Sequence, residues 1–281
     1  MNYASHIVHI NDIDLHYIEY GEGKMPLLMM HGLTANAHAF DGFMRAGLAE
    51  NRHVLSMDFR GRGLSTKTTF DYSIEAHAND VIALLNYLDI ACVDICGHSF
   101  GGLMATYIAY HYPERVRKII ILDAAPKMNP KAAEMLAPAL SRLSLRFSSL
   151  KDYVQKVKKA PYITFWDDAM YTYYRADIHP NKQGTYETWS SLADITQIAI
   201  NTSVEPWAKY FENIPHEILL IHATENYTLN QLLITEDQAL KAVASMKHGH
   251  YQTSLGNHQT MLYGVNAKSN VTVINKYLLA K

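Results

Sequence analysis

The chain reads as an α/β protein: a mainly parallel central sheet flanked by helices, with a helical cap inserted between two of the strands. Three observations lead there. Short apolar runs recur along the chain, each ended by glycine or a polar residue. Helical spacing fills the stretches between them. Between about Pro126 and Pro215 the alternation stops, and an aromatic-rich, helix-like stretch replaces it.

Near the start, Ile7 to Tyr20 alternates apolar and polar positions around Asn11-Asp12. That is the pattern of two antiparallel strands and a short turn, expected at one sheet edge. The apolar runs follow. Leu27 to Met30 precedes His31-Gly32, Val54 to Met57 precedes Asp58, and Val93 to Cys96 precedes Gly97. Ile119 to Leu122 precedes Asp123, and Ile218 to Ile221 precedes His222. Such runs suit strands buried on both faces. Val81, Leu84, Leu85 and Leu88 share one helical face, and Gly101 to Tyr112 is apolar up to Pro113. Asn266 is a candidate cap for a last helix carrying Ile274, Tyr277 and Leu278. The expected division is a core of residues 1–125 and 216–281 and a cap of residues 126–215. All three tryptophans, Trp166, Trp189 and Trp207, fall in the cap. Most cap aromatics are expected to fill its own core. Trp166 and Trp189 are candidates to face a ligand instead.

Composition narrows the function. In 281 residues, Lys+Arg is 25 and Asp+Glu is 27, a net charge of -2 that gives no basis for a nucleic-acid or anionic-membrane surface. At 48% hydrophobic and 19% charged the chain has globular composition. No apolar run approaches the about 18 to 20 residues of a membrane span. The first residues lack a basic stretch followed by an apolar one, so no secretory leader is expected. The two cysteines, Cys92 and Cys96, rule out a disulfide framework, and a reducing, cytoplasmic setting is expected.

The sharpest motif is Gly97-His98-Ser99-Phe100-Gly101, followed by Gly102, between a strand and a helix. A sharp turn there projects the Ser99 hydroxyl above the sheet. Side chains at 97 and 101 would collide with neighbouring backbone, and the following helix aims amides at a developing oxyanion. Ser99 is therefore the candidate nucleophile. His31-Gly32-Leu33-Thr34 follows a strand, and the amides of Leu33 and Phe100 are the candidate oxyanion hole. His31 is expected mainly to hold that loop, although it and His98 are also candidates to line the substrate site. Asp58 and Arg60 to Gly63 are read as structural, with the arginines pinning loops. Cys96 is read as a small packing residue.

These motifs carry a resemblance. His31-Gly32, Asp58-Phe59-Arg60-Gly61-Arg62-Gly63-Leu64-Ser65, Gly97 to Gly102 and Pro113-Glu114-Arg115-Val116 look like the α/β-hydrolase superfamily over nearly the whole chain outside the cap. The resemblance implies a Ser–acid–His triad in that chain order. Its histidine would be late: His248, His250 or His258. His258, in Gly256-Asn257-His258-Gln259, follows a probable strand over residues 250 to 254 and matches the family position. The family's usual acid lies just beyond the strand ending at Ile221, but His222-Ala223-Thr224-Glu225-Asn226-Tyr227 holds no aspartate. Some members take the acid from the end of the strand after the elbow helix, which here is Asp123. Asp123 is preferred, with Glu225, Glu236 and Asp237 as alternatives.

The function expected is cleavage of a carboxylic ester or lactone through an acyl-enzyme, with a small-molecule ester-type substrate and no cofactor or metal. Serine at the elbow argues against dehalogenase or epoxide-hydrolase chemistry, which the family runs on a carboxylate. Thioester cleavage and C–C hydrolysis of a ring-cleavage product use the same triad and stay open. So does a non-enzymatic role as a small-molecule receptor.

Overall fold

The computed structural model describes residues 2–67 and 71–280. Strand β1 (Ala4–Ile10) and strand β2 (Ile13–Tyr20) form the antiparallel hairpin. Its turn uses Asn11 and Asp12, both at positive φ (47° and 61°), as a two-residue hairpin that follows the strand twist requires. Strand β3 (Leu27–Met30), the short helix α1 (Asp41–Arg45) and strand β4 (Val54–Met57) follow. Next come helix α2 (Ile74–Tyr87), strand β5 (Val93–His98), helix α3 (Phe100–His111) and strand β6 (Val116–Leu122).

Residues 126–215 hold helices α4 (Ala132–Ser141), α5 (Leu150–Lys158) and α6 (Asp168–Ala176), strands β7 (Ile178–Pro180) and β8 (Tyr186–Thr188), and helices α7 (Leu192–Ser203) and α8 (Trp207–Asn213). The antiparallel β7–β8 pair is an addition to the helical stretch expected there. Gly184, at φ 78°, sits in the tight connection between its strands. The chain closes with strand β9 (Glu217–Ala223), helix α9 (Glu236–Ser245), strand β10 (His248–Ser254) and helix α10 (Gly264–Leu279). Asn266 does not cap α10. The helix starts at Gly264, and the Asn266 side chain lies buried inside it, donating to the Thr260 carbonyl at 3.2 Å.

The main sheet has eight strands in the order β1-β2-β4-β3-β5-β6-β9-β10. Pairing is parallel from β4 through β10 and antiparallel only at β1–β2 and β2–β4. Alternate residues of each strand enter opposite layers. Leu28, Met30, Ile95, Ile119, Ile121 and Leu220 pack with α2, α3, α8 and α9. Leu27, Met29, Cys96, Ile120, Leu122 and Ile221 pack with α1, α5, α6 and α10. That is why these runs are apolar without alternation. Among the described residues, no helix is long and apolar enough to cross a membrane.

Polar pins hold the loops at the strand ends. Asp58, just beyond β4, accepts from the Ala37 amide (2.6 Å), the Leu64 amide (2.9 Å) and His16 Nδ1 (2.7 Å). Burial would raise its pKa, but the His16 hydrogen bond and charge outweigh that and hold the carboxyl below its usual range. Arg60 makes two 2.7 Å bonds to Asp80 on α2, with both side chains buried. Removing one partner of such a pair strands a buried charge. Asp80→Ala should therefore lower the unfolding free energy by about 3–5 kcal/mol, while Arg60→Met with Asp80→Leu should recover much of it, as read by urea titration.

Candidate active site

The site forms where β5 turns into α3. A Cβ on Gly97 would fall on the Gly101 carbonyl, and one on Gly101 would fall on the Met30 carbonyl, so helix and sheet touch through bare backbone. Ser99 absorbs the turn at φ 53°, ψ -118°. A serine before a helix ordinarily takes an extended backbone and turns its oxygen onto the helix amides. Here that backbone is unavailable and the hydroxyl makes no capping bond. The Ser99 amide is anchored on the Leu122 carbonyl at 2.9 Å.

Sheet register brings Asp123 alongside. His98 pairs with Leu122 and Leu122 with Ile221, so Ser99 and Asp123 are the next residues on adjacent strands. Asp123 takes φ 51°, and its Oδ1 accepts from the Ala223 amide at 3.0 Å. Its Oδ2 accepts from Nδ1 of His258 at 2.7 Å, with both side chains buried. That bond fixes the proton on Nδ1 and leaves Nε2 of His258 as the basic nitrogen.

The loop carrying His258 is tied down from several sides. The Asn257 side chain accepts from the Gln259 and Thr260 amides and donates to the Tyr162 carbonyl. His98 Nε2 donates to the His258 carbonyl at 2.8 Å, and the two rings lie 4.5 Å apart. Burial, then the neighbouring His258 charge, pushes the His98 pKa well below the ordinary value. Tyr227 meets His258 edge to face at 5.5 Å.

Ser99, Asp123, His258, His98, Leu33 and Phe100 all line one cavity of about 370 Å3. The Phe100 amide opens α3 and so has no acceptor within its helix. The Gly32–Ala35 turn closes through Ala35 N–H to Gly32 O, which leaves the Leu33 amide outside the turn's own bond. The rest of the wall is largely apolar, including Met128, Leu136, Leu140, Trp207 and Leu262.

Other expected residues lie elsewhere. Glu225 is exposed beyond β9, where only its amide is engaged, with Gly256 O. Glu236 and Asp237 are exposed on the first turn of α9, and Asp237 pairs with Lys241. His248 and His250 lie on the edge strand β10. His31 is fully buried beneath the cavity, not on its wall. Its Nδ1 donates to Gly32 O at 2.7 Å, and its Nε2 accepts from the Phe59 amide at 3.2 Å. Trp166 stacks on Tyr174 at 5.5 Å, with Lys158 Nζ 4.8 Å from the centre of its ring. Trp189 stacks on His179 at 4.0 Å and borders a separate recess near Tyr3 and His16. Neither tryptophan lines the cavity. Tyr173 and Trp207 supply its cap aromatics instead, and no periodicity in the sequence distinguishes them from the others.

The family model for the alpha/beta hydrolase fold matches residues 25–242. A 2-(acetamidomethylene)succinate hydrolase of Mesorhizobium japonicum is 29% identical over 53% of this chain and 53% of its own length. A 3-oxoadipate enol-lactonase of Acinetobacter baylyi is 32% identical over 43% of this chain and 46% of its own. The chain spans as little as 28% of other curated relatives it matches. A solved E-2-(acetamidomethylene)succinate hydrolase superposes with a TM-score of 0.88 at 22% identity, over 99% of this chain and 100% of that one.

The His31 geometry sets a pH dependence. Burial lowers its pKa from 6.5 to about 4. Between those values the unfolded chain binds the proton and the folded one does not, so stability falls as pH drops. The unfolding free energy should decline by roughly 3 kcal/mol between pH 7 and pH 4 on account of His31. His31→Gln should flatten that slope in urea titrations run across the range.

Proposed function

This chain belongs to the alpha/beta hydrolase family, and from that premise we propose that it is a serine hydrolase cleaving a carboxylic ester or lactone through an acyl-enzyme. The observation that carries the reading is the buried hydrogen bond between Asp123 and His258, beside a Ser99 hydroxyl left free by its strained turn. Ser99 Oγ attacks the substrate carbonyl carbon while its proton passes to Nε2 of His258. Asp123 holds the imidazole tautomer and stabilises the imidazolium that results. The amides of Leu33 and Phe100 take the negative charge of the tetrahedral oxygen. The imidazolium then protonates the departing alcohol, leaving the acyl group on Ser99. A water deprotonated by His258 attacks that ester and releases the acid.

His98 acts as a positioning residue. Its bond to the His258 carbonyl sets the height of the imidazole above the elbow. The largely apolar wall favours a hydrocarbon acyl or alcohol group.

The test is turnover of p-nitrophenyl acetate and butyrate. Ser99→Ala should lower kcat by at least about 1000-fold, and Asp123→Asn by about 100- to 10,000-fold. Glu225→Gln should stay within about two-fold of the parent, since an exposed side chain is not coupled to the imidazole. Equal rates in the parent and Ser99→Ala would remove the serine mechanism. A larger loss from Glu225→Gln than from Asp123→Asn would move the acid role to Glu225.

A further inference from the structure

The charge carried by the cavity wall is one-sided. Among the described residues that line it there is no lysine and no arginine, while two carboxylates are present, Asp123 and Glu205. Asp123 is engaged by His258. Glu205 lies between α7 and α8, next to Thr202, Ser203 and Trp207 of the wall. Its Oε2 accepts from the Tyr210 hydroxyl at 2.7 Å, a neutral donor, and it forms no ion pair among the described residues. Arg142, a buried cation that bonds Thr34 and Ala139 of the wall, does not line the cavity, and its donors are committed. Nε goes to Asp177, Nη1 to Ala139 O and Thr34 Oγ1, and Nη2 to Thr34 O. Lys127 and Lys131, on the segment leading to α4, are exposed and outside the lining.

We propose that Glu205 is a specificity-determining residue and that this cavity takes esters whose acyl chain is neutral, rejecting those that carry a second, ionised carboxylate. A carboxylate entering here leaves water, finds no cation on the wall, and meets the charge of the half-buried Glu205. A neutral hydrocarbon chain brings no charge to desolvate and gains contact with the apolar part of the wall. The same reasoning weighs against an acidic ring-cleavage product as substrate. The inference rests on reading this cavity as the acyl site, but it needs no chemistry at Ser99.

The experiment measures binding to Ser99→Ala by calorimetry, so that failure of the serine mechanism and failure of this inference separate. The two probes are p-nitrophenyl hexanoate and mono-p-nitrophenyl adipate, which differ by a carboxylate at the chain end. The hexanoate should bind at least about ten-fold more tightly. Glu205→Gln in the same background should narrow the ratio several-fold, and Glu205→Lys should narrow it further or reverse it. The inference is overturned if the adipate binds as tightly as the hexanoate, if neither probe binds, or if neither substitution moves the ratio. Wild-type turnover of the two esters should follow the same order in kcat/KM.

Discussion

Where the central strand β5 meets helix α3, two stretches of backbone approach so closely that neither Gly97 nor Gly101 has room for a Cβ. That contact leaves the intervening residue one conformation, and Ser99 takes it at φ 53°. A non-glycine residue held there stores of order 1 to 3 kcal/mol, which the packed sheet and helix must offset. They can do so because the whole of β5 and most of α3 are buried. The strain has a chemical consequence. It denies the serine its usual capping bond and turns the hydroxyl toward the cavity.

The other groups of the site depend on that corner. Register across β5, β6 and β9 brings Asp123 level with Ser99. The loop after β10 is then joined to the corner by His98 and to the sheet by Asp123. Beneath it, His31 fills a buried position as a neutral ring that both donates and accepts. The segment of residues 126–215 is fastened to the same region. Arg142 reaches the loop after β3 through Thr34, and Thr172 on α6 bonds Asp41 at 2.6 Å. The cavity wall is thus drawn both from the strand ends of the sheet and from residues 126–215, so its shape depends on both.

How much of this was legible in the sequence depends on what kind of force fixed each part. Strands β3 and β4 were readable residue for residue, because burial on both faces leaves an uninterrupted apolar run. The elbow was readable because its glycines answer a steric need. Asp123 competed with Glu225 because both follow strands of the parallel sheet. The register, the exposure of Glu225 and the His258 bond to Asp123 separate them in the structure. The cap resisted. Tyr173, Tyr174, Trp166 and Trp189 look alike in sequence, yet only Tyr173 reaches the cavity wall. Their directions depend on how α5, α6 and the β7–β8 pair lean on the core, which local spacing does not encode. Asn266 misled for a related reason. It is a good cap by type, but the chain before it bends at Tyr263 and Gly264, and its side-chain amide donates instead to the Thr260 carbonyl in the turn that precedes the helix.

In the proposed mechanism the His258 imidazole makes the Ser99 hydroxyl nucleophilic. The direct measurement is the rate of covalent modification by a fluorophosphonate, with the modified peptide identified by mass spectrometry. A single adduct is expected on Ser99, formed at least about 100-fold more slowly when His258 is replaced by alanine. An unmodified Ser99, or an adduct forming equally fast without the imidazole, would contradict it.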